Sequence, residues 1–290
     1  MCCSAHWIVR CLPLGWLGLA LSRLARRTPR RLTRAVHPED PTRIPAVVER
    51  LRAAWEAQPS VPFAQLWAQL ESVGVGFNAT DAELVEACDE LLRRHPYSFS
   101  PVLSGAPTVP SSDAPSASSA PRTVVVETAD PGPVVTLSVD PGEPLGWAVV
   151  RGRRAGVQPV VWRFRAVRAC RAGAPLVVED AEGFVHRLGV VERLTAAGFA
   201  VAPGENAAAL EGLRRAELGD REFVVRFEDD SWALVGHALW WFRVGRRAVD
   251  ARRLKWVGFV SGMPGAPLLV RTPGAGLEEL PLVAEVFRAS

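Results

Sequence analysis

The sequence predicts an α+β multidomain protein: a small three-helix N-terminal module, then a tandem duplication of a small, mostly-β barrel or sandwich unit. Three observations predict it. Apolar residues recur at helical spacing between residues 38 and 98, punctuated by Pro and Gly. A Pro/Ser/Ala-rich stretch then erases all periodicity over 99–122. Beyond it, short strand-like segments recur in one order at a spacing near 92 residues. A chain of 290 residues has room for two or three domains of ordinary size.

Residues 1–37 are a basic and apolar tail. Cys11 to Leu21 is a mostly apolar run, but a helix from Trp7 to Leu21 would reach only ~22 Å against a hydrocarbon core of ~30 Å. Six arginines, from Arg23 to Arg34, follow that run, whereas a secretory signal places its charge before it. Three readings stand side by side. The tail is foreign to the native chain, with the true start near Val36; or residues 1–34 are a membrane-surface anchor with arginines on anionic lipid; or it is a loose tail.

The helical module is expected over 38–98. Asp40-Pro41 is a start signal, and Ile44, Val47, Val48, Leu51 and Trp55 then follow at helical spacing until Gln58-Pro59. A second helix carries Phe63, Leu66, Trp67 and Leu70 and stops before Gly74 and Gly76. Thr80 to Glu83 is a capping box opening a third, with Leu84, Val85, Cys88, Leu91 and Leu92 on one face. Trp55, Phe63, Trp67 and Leu91 are expected to share the core. The outline is helix–turn–helix-like, but residues 36–98 carry five arginines and ten acids. A recognition helix meets phosphate with basic groups, so DNA reading is not expected of this module. The stretches AAWEAQP, QLWAQL and GFNATDAEL make residues 43–96 resemble a short helical module of uncharacterised actinobacterial proteins; the resemblance implies no activity.

Residues 99–122 are expected to be a flexible or polyproline-like tether. The β units are placed at 123–202 and 221–290, with a connecting helix over 203–220 (ENAAALEGLRRAEL at its centre). The repeat rests on Gly173-Ala174-Pro175-Leu176 recurring as Gly265-Ala266-Pro267-Leu268. Val178, Leu188 and Val191 match Val270, Leu280 and Val283 at the same offset, and Phe164, Val167 and Leu194 align with Trp256, Phe259 and Val286. Gly152-Arg153-Arg154-Ala155 recurs as Gly245-Arg246-Arg247-Ala248, one residue out of phase. The acid-ended segments 136–140 (TLSVD) and 225–229 (VRFED) are matched as corresponding strands. Trp232 to Phe242 reads either as a helix, from its Ala and Leu, or as two strands, from the repeat.

Candidate sites are sparse. Trp240, Trp241 and Phe242 form an interaction patch if they are not core. Asp140 before a Gly-rich turn, Glu179 at a later strand end, and Asp229 or Asp230 outline a resolvase-like nuclease in which three carboxylates hold two metal ions. The repeat argues against it by placing these acids in separate units. His186 and His237 lack a Ser, Cys or acid partner at a diagnostic spacing. No P-loop, dinucleotide fingerprint or Cys/His metal spacing occurs, so no cofactor or metal is expected.

Five cysteines in no paired pattern point to a reducing, cytoplasmic compartment. Thirty-three arginines against one lysine, Lys255, reads as a GC-rich bacterial genome, so arginine abundance is weak support for nucleic-acid binding. Residues 123–290 carry nearly balanced charge, and no nucleic-acid partner is expected for the folded parts. The expectation is a non-enzymatic cytoplasmic protein with an unidentified protein partner. The alternatives are the nuclease and a membrane-surface adaptor held by residues 1–34.

Overall fold

A computed structural model describes residues 40–101, 103, 121–140, 143–154, 156–204, 206 and 209–290. The readings of the tail and most of the tether lie outside these residues. Among the described residues, three α-helices are followed by thirteen strands in two antiparallel sheets, one of them a closed barrel.

The helices are α1 (Arg43–Glu56), α2 (Phe63–Ser72) and α3 (Asp81–Arg94). The capping box forms: Thr80 N–H donates to Glu83 Oε2 at 2.7 Å, and Glu83 N–H donates to Thr80 Oγ1 at 3.3 Å. Ion pairs Arg43–Asp81 and Arg50–Asp89 tie α1 to α3. The core holds Ala54, Leu66, Leu70, Val75, Ala87, Cys88 and Leu91. Trp55, Phe63 and Trp67, expected inside with Leu91, are exposed instead. The small Ala54 and Ala87 are the buried residues α1 and α3 contribute there, and the aromatic rings lie on the outer side.

The first β unit comprises β1 (Thr123–Thr128), β2 (Val134–Ser138), β3 (Gly146–Arg151), β4 (Val160–Ala169), β5 (Pro175–Asp180) and β6 (Val185–Ala197). Each strand pairs with the next, and β1 pairs with β6 to close the barrel. Alternate residues point inward, so Val124, Val126, Val135, Leu137, Phe164, Leu176, Val178, Val191 and Leu194 fill the interior. Gly146 is the residue that fits opposite Phe164: a Cβ there would lie 2.3 Å from the phenyl ring.

The stretch expected as a tether begins inside this barrel. Phe99 and Leu103 are buried in its core. Phe99 N–H donates to Cys170 O at 2.9 Å, and Ala172 N–H donates to Tyr97 O at 3.0 Å. His95 Nδ1 lies 3.1 Å from Leu194 O, and burial lowers the pKa of its imidazole.

The second unit comprises β7 (Phe223–Phe227), β8 (Trp232–Val235), β9 (Leu239–Val244), β10 (Val249–Leu254), β11 (Gly258–Ser261), β12 (Pro267–Arg271) and β13 (Leu277–Arg288). Its order is β10-β9-β8-β7-β13-β12-β11. Residues 232–242 are therefore two strands joined at Gly236–Ala238, not a helix. The pairing scheme is that of the first unit with β4 divided: β10 pairs with β9 as β4 does with β3, and β11 pairs with β12 as β4 does with β5.

The aligned residues occupy matching places. Phe164 and Trp256 are both core, as are Leu176 and Leu268, Val178 and Val270, Val191 and Val283, and Leu194 and Val286. The hydrogen bonds of the GAPL turn repeat as well. Gly173 N–H donates to Val191 O and Gly265 N–H to Val283 O, both at 2.8 Å. Val191 N–H donates to Ala174 O and Val283 N–H to Ala266 O, both at 2.9 Å.

Two further expectations are corrected. Residues 225–229 run through β7, whose pairing with β13 matches that of β1 with β6, so residues 136–140 lie one strand later in the scheme. No α-helix runs through the described part of 203–220; it holds turns and a 3₁₀ segment at Arg215–Glu217. Gly204, Gly212 and Gly219 take positive φ there, and Leu210, Leu213 and Leu218 are buried in the second unit's core. Burial of those leucines outweighs helix propensity.

The two β units pack on each other through an apolar seam. Val149 and Val201 meet Val224, Phe287 and Ala289, with Trp147, Val161, Phe199, Trp232 and Leu234 around them. Trp147 and Phe287 rings lie 5.3 Å apart. Thr136 Oγ1 donates to Ala289 O at 2.6 Å, and Arg151 pairs with Glu222. Burial lowers the Arg151 guanidinium to about 10. At ~1.5–3 kcal/mol per fully buried aliphatic or aromatic side chain, this seam joins the units firmly.

Candidate interaction surface

Helix α1 carries more apolar surface than its neighbours cover. At 100° per residue, Val47, Leu51 and Ala54 share one arc, and Ile44, Val48 and Trp55 share the adjoining one. Leu51 and Ala54 of the first arc pack on the helical core. The second is open: Ile44 is 51% exposed, Val48 55% and Trp55 40%. The open arc continues onto α2, where Phe63 and Trp67 are also exposed.

The rings form a ladder. Trp55 and Phe63 centroids lie 5.2 Å apart, and Phe63 and Trp67 lie 6.3 Å apart. Beside it is a shallow, open depression of about 500 Å³ lined by Arg52, Trp55, Glu56, Pro59, Ser60, Val61 and Pro62. The indole N–H groups are occupied and fix the rings: Trp55 Nε1 donates to Val61 O at 2.8 Å, and Trp67 Nε1 donates to Glu71 Oε1 at 3.1 Å. Arg52 and Glu56 pair at 2.7 Å on the rim. The surface is a rigid aromatic ledge walled by prolines, with its charges at the edge.

The carboxylates proposed for metal do not converge. Asp140 follows β2. Glu179 lies buried on β5, held by Arg165 and by Arg168, whose Nε donates to Glu179 Oε2 at 2.6 Å. Those arginines, Arg168 first, hold its carboxyl below the usual range. Asp229 Oδ1 accepts from Ser231 N–H at 3.0 Å and from Ser231 Oγ at 2.6 Å, and Asp230 occupies the β7–β8 turn with φ 59°. Among the described residues, no three His, Cys, Asp or Glu side chains gather closely enough to hold a metal ion.

The aromatic patch on β9 is divided between two packed faces. Trp241 packs against the second unit's core and donates Nε1–H to Ser231 Oγ at 3.1 Å. Phe242 is fully buried, and Trp240 is half-buried against Gly156 of the first unit. These three residues do not form an open patch. His237 is exposed in the β8–β9 turn. His186, expected to lack an acid partner, has one across the β5–β6 turn: its Nε2 lies 2.7 Å from Asp180 Oδ2, with the Trp162 ring at 4.7 Å. The His186 hydrogen bond, and then that from Phe184 N–H, lower the Asp180 carboxyl. Cys170 is a core residue whose burial pushes its thiol up to about 12, which leaves it protonated and inert.

Compared with protein-family models, curated proteins and solved structures, the chain matches none. The site must therefore be read from its own geometry. Among the described residues no helix is long and apolar enough to cross a membrane.

The ledge escapes sequence reasoning because its residues obey helical periodicity as well as core residues do. Width gives no warning either: the apolar arc of α1 is about 120° wide, as in an ordinary core-facing helix.

Proposed function

We propose that this is a non-enzymatic cytoplasmic interaction protein whose helical module holds a proline-bearing, extended segment of a protein partner. The carrying observation is the exposed Trp55–Phe63–Trp67 ladder beside a proline-walled depression. Polyproline-type segments dock on aromatic-lined grooves, and at ~3.1 Å per residue the ladder accommodates about one of their turns. Rim charges and an apolar floor favour a peptide over a small polar metabolite. The matched pairing schemes and turn hydrogen bonds support descent of the two β units from one duplicated unit, which serves here as a rigid support. Free, buried Cys88 and Cys170 are compatible with a reducing compartment.

The test is titration of the full chain with a synthetic proline decamer, followed by tryptophan fluorescence and by NMR of the indole N–H signals. Saturable shifts of the Trp55 and Trp67 signals are expected, lost in Trp55→Ala. An absence of shift at millimolar peptide, or shifts elsewhere only, overturns the reading.

A further inference from the structure

The β9–β10 hairpin concentrates charge. Residues 243–255 hold six cations and one acid. Every residue from Arg243 to Arg253 is exposed, and past Phe242 strand β9 pairs with β10 alone, so residues 243–250 form a two-stranded tip with Arg253 and Lys255 at its base. Two of its cations are neutralised: Arg243 pairs with Asp250 at 3.1 Å, and Arg252 with Glu278 at 2.7 Å. Among the described residues, no carboxylate pairs with Arg246, Arg247, Arg253 or Lys255.

The equivalent β3–β4 hairpin shows that the fold does not require this. There Arg151 pairs with Glu222, Arg153 with Glu192 at 3.3 Å, and Arg163 with Glu143 at 3.7 Å. In the second unit Ala284 stands at the position aligned with Glu192, and no carboxylate pairs with Arg246 among the described residues. Arg252 and Arg253 replace Val160 and Val161. The second hairpin has gained cations and lost their partners, and crowded like charges disfavour the folded state unless an anion meets them.

We propose that the β9–β10 ribbon is a binding surface for double-stranded DNA, lying in the major groove with Arg246, Arg247, Arg253 and Lys255 on backbone phosphates. A two-stranded ribbon fits that groove. Single-stranded nucleic acid is held largely by base stacking, and the aromatics here are withheld from it: Phe242 is buried, Trp240 packs on Gly156, and Arg243 lies over Trp241 at 5.0 Å. A lipid surface calls for large apolar side chains to insert, and the ribbon exposes only Val244 and Val249. The near-zero charge of 123–290 conceals the surface because the acids that balance it lie elsewhere. This proposal stands apart from the peptide ledge and does not depend on it.

The experiment is fluorescence anisotropy of the full chain with a labelled 20-base-pair duplex across a salt series. The variant R246Q/R247Q/R253Q/K255Q is compared with R154Q/R187Q/R214Q/R271Q, which removes as many exposed charges from other places. At ~0.9 per phosphate contact, the hairpin variant is expected to flatten the log–log salt slope by about 3–4 and to weaken binding at least ~30-fold at low salt. The control is expected to change binding less than ~3-fold. If the quadruple variant fails to fold, R246Q/R247Q is expected to lose about half that slope. Four results overturn the proposal: no salt-dependent duplex binding by the unaltered chain, equal losses in both variants, a single-stranded 20-mer bound as tightly as the duplex, or hairpin charges needed for phosphatidylserine vesicles but not for duplex.

Discussion

The two β units share one pairing scheme but close it differently. In the first, β4 runs unbroken from Val160 to Ala169 and completes a hydrogen-bonded barrel. In the second, the same path breaks at Lys255–Val257, and the sheet ends at β10 on one side and β11 on the other. Interior and turn positions match, while surface positions differ. One pair makes the point. Glu127 and Arg193 face each other across β1 and β6; at the matching places on β7 and β13 stand Arg226 and Glu285, with the charges exchanged. What the scheme preserves is a contact, not a residue. Where nothing preserves the contact, as on the hairpin after β9, the surface is free to take on a different role.

The strongest challenge to this comparison removes the matched core rings. Trp256→Ala and Phe164→Ala each leave a large cavity, and each is expected to cost ~3–5 kcal/mol in denaturant unfolding. Trp256→Ala should stand at the upper end, because it also strands Gly236 O, which now accepts from the indole N–H at 3.0 Å. A loss below ~1 kcal/mol at either position would mean the rings are not equivalent core elements.

A second challenge targets a feature present in the first unit only. Arginines lower the Glu179 carboxyl in the folded chain below its ordinary value of 4.5. Its contribution is therefore complete above that value and declines as pH falls through the lowered one. Thermal melts across pH 2–6 should show an acid limb that flattens in Glu179→Gln. An unchanged limb would assign the acid sensitivity to other groups.

The smallest effect sharpens the exchange of charges. Glu127→Arg alone places two cations in contact and is expected to destabilise by up to ~1 kcal/mol; adding Arg193→Glu should restore most of it. A double variant no better than the single would make the inverted pair incidental.

The correspondence of the two units is legible in the sequence because its landmarks are constrained physically. Gly173 and Gly265 both take positive φ, 76° and 81°, in a turn whose hydrogen bonds leave little choice of residue. The carboxylate-ended segments misled because a terminal acid fixes no register; only the ladder distinguishes β1 from β2. The 203–220 stretch misled because Ala, Leu and Glu favour helix locally, whereas the second core takes Leu210, Leu213 and Leu218 in an irregular path. Of the candidate sites, the β9 aromatics do not make the expected patch because alternation along β9 sends Trp241 to the second core and turns Trp240 towards Gly156 of the first unit. The basic hairpin was hidden by averaging charge over a whole domain.

Phe99 and Leu103 follow α3, yet they belong to the core of the first barrel. Synthesis runs from the N-terminus, so these two side chains leave the ribosome before any strand that surrounds them. Their backbone anchor comes later, when Cys170 O accepts from Phe99 N–H and Ala172 N–H donates to Tyr97 O. The barrel therefore takes part of its filling from outside its own strands, and a chain cut at the start of β1 would lack it.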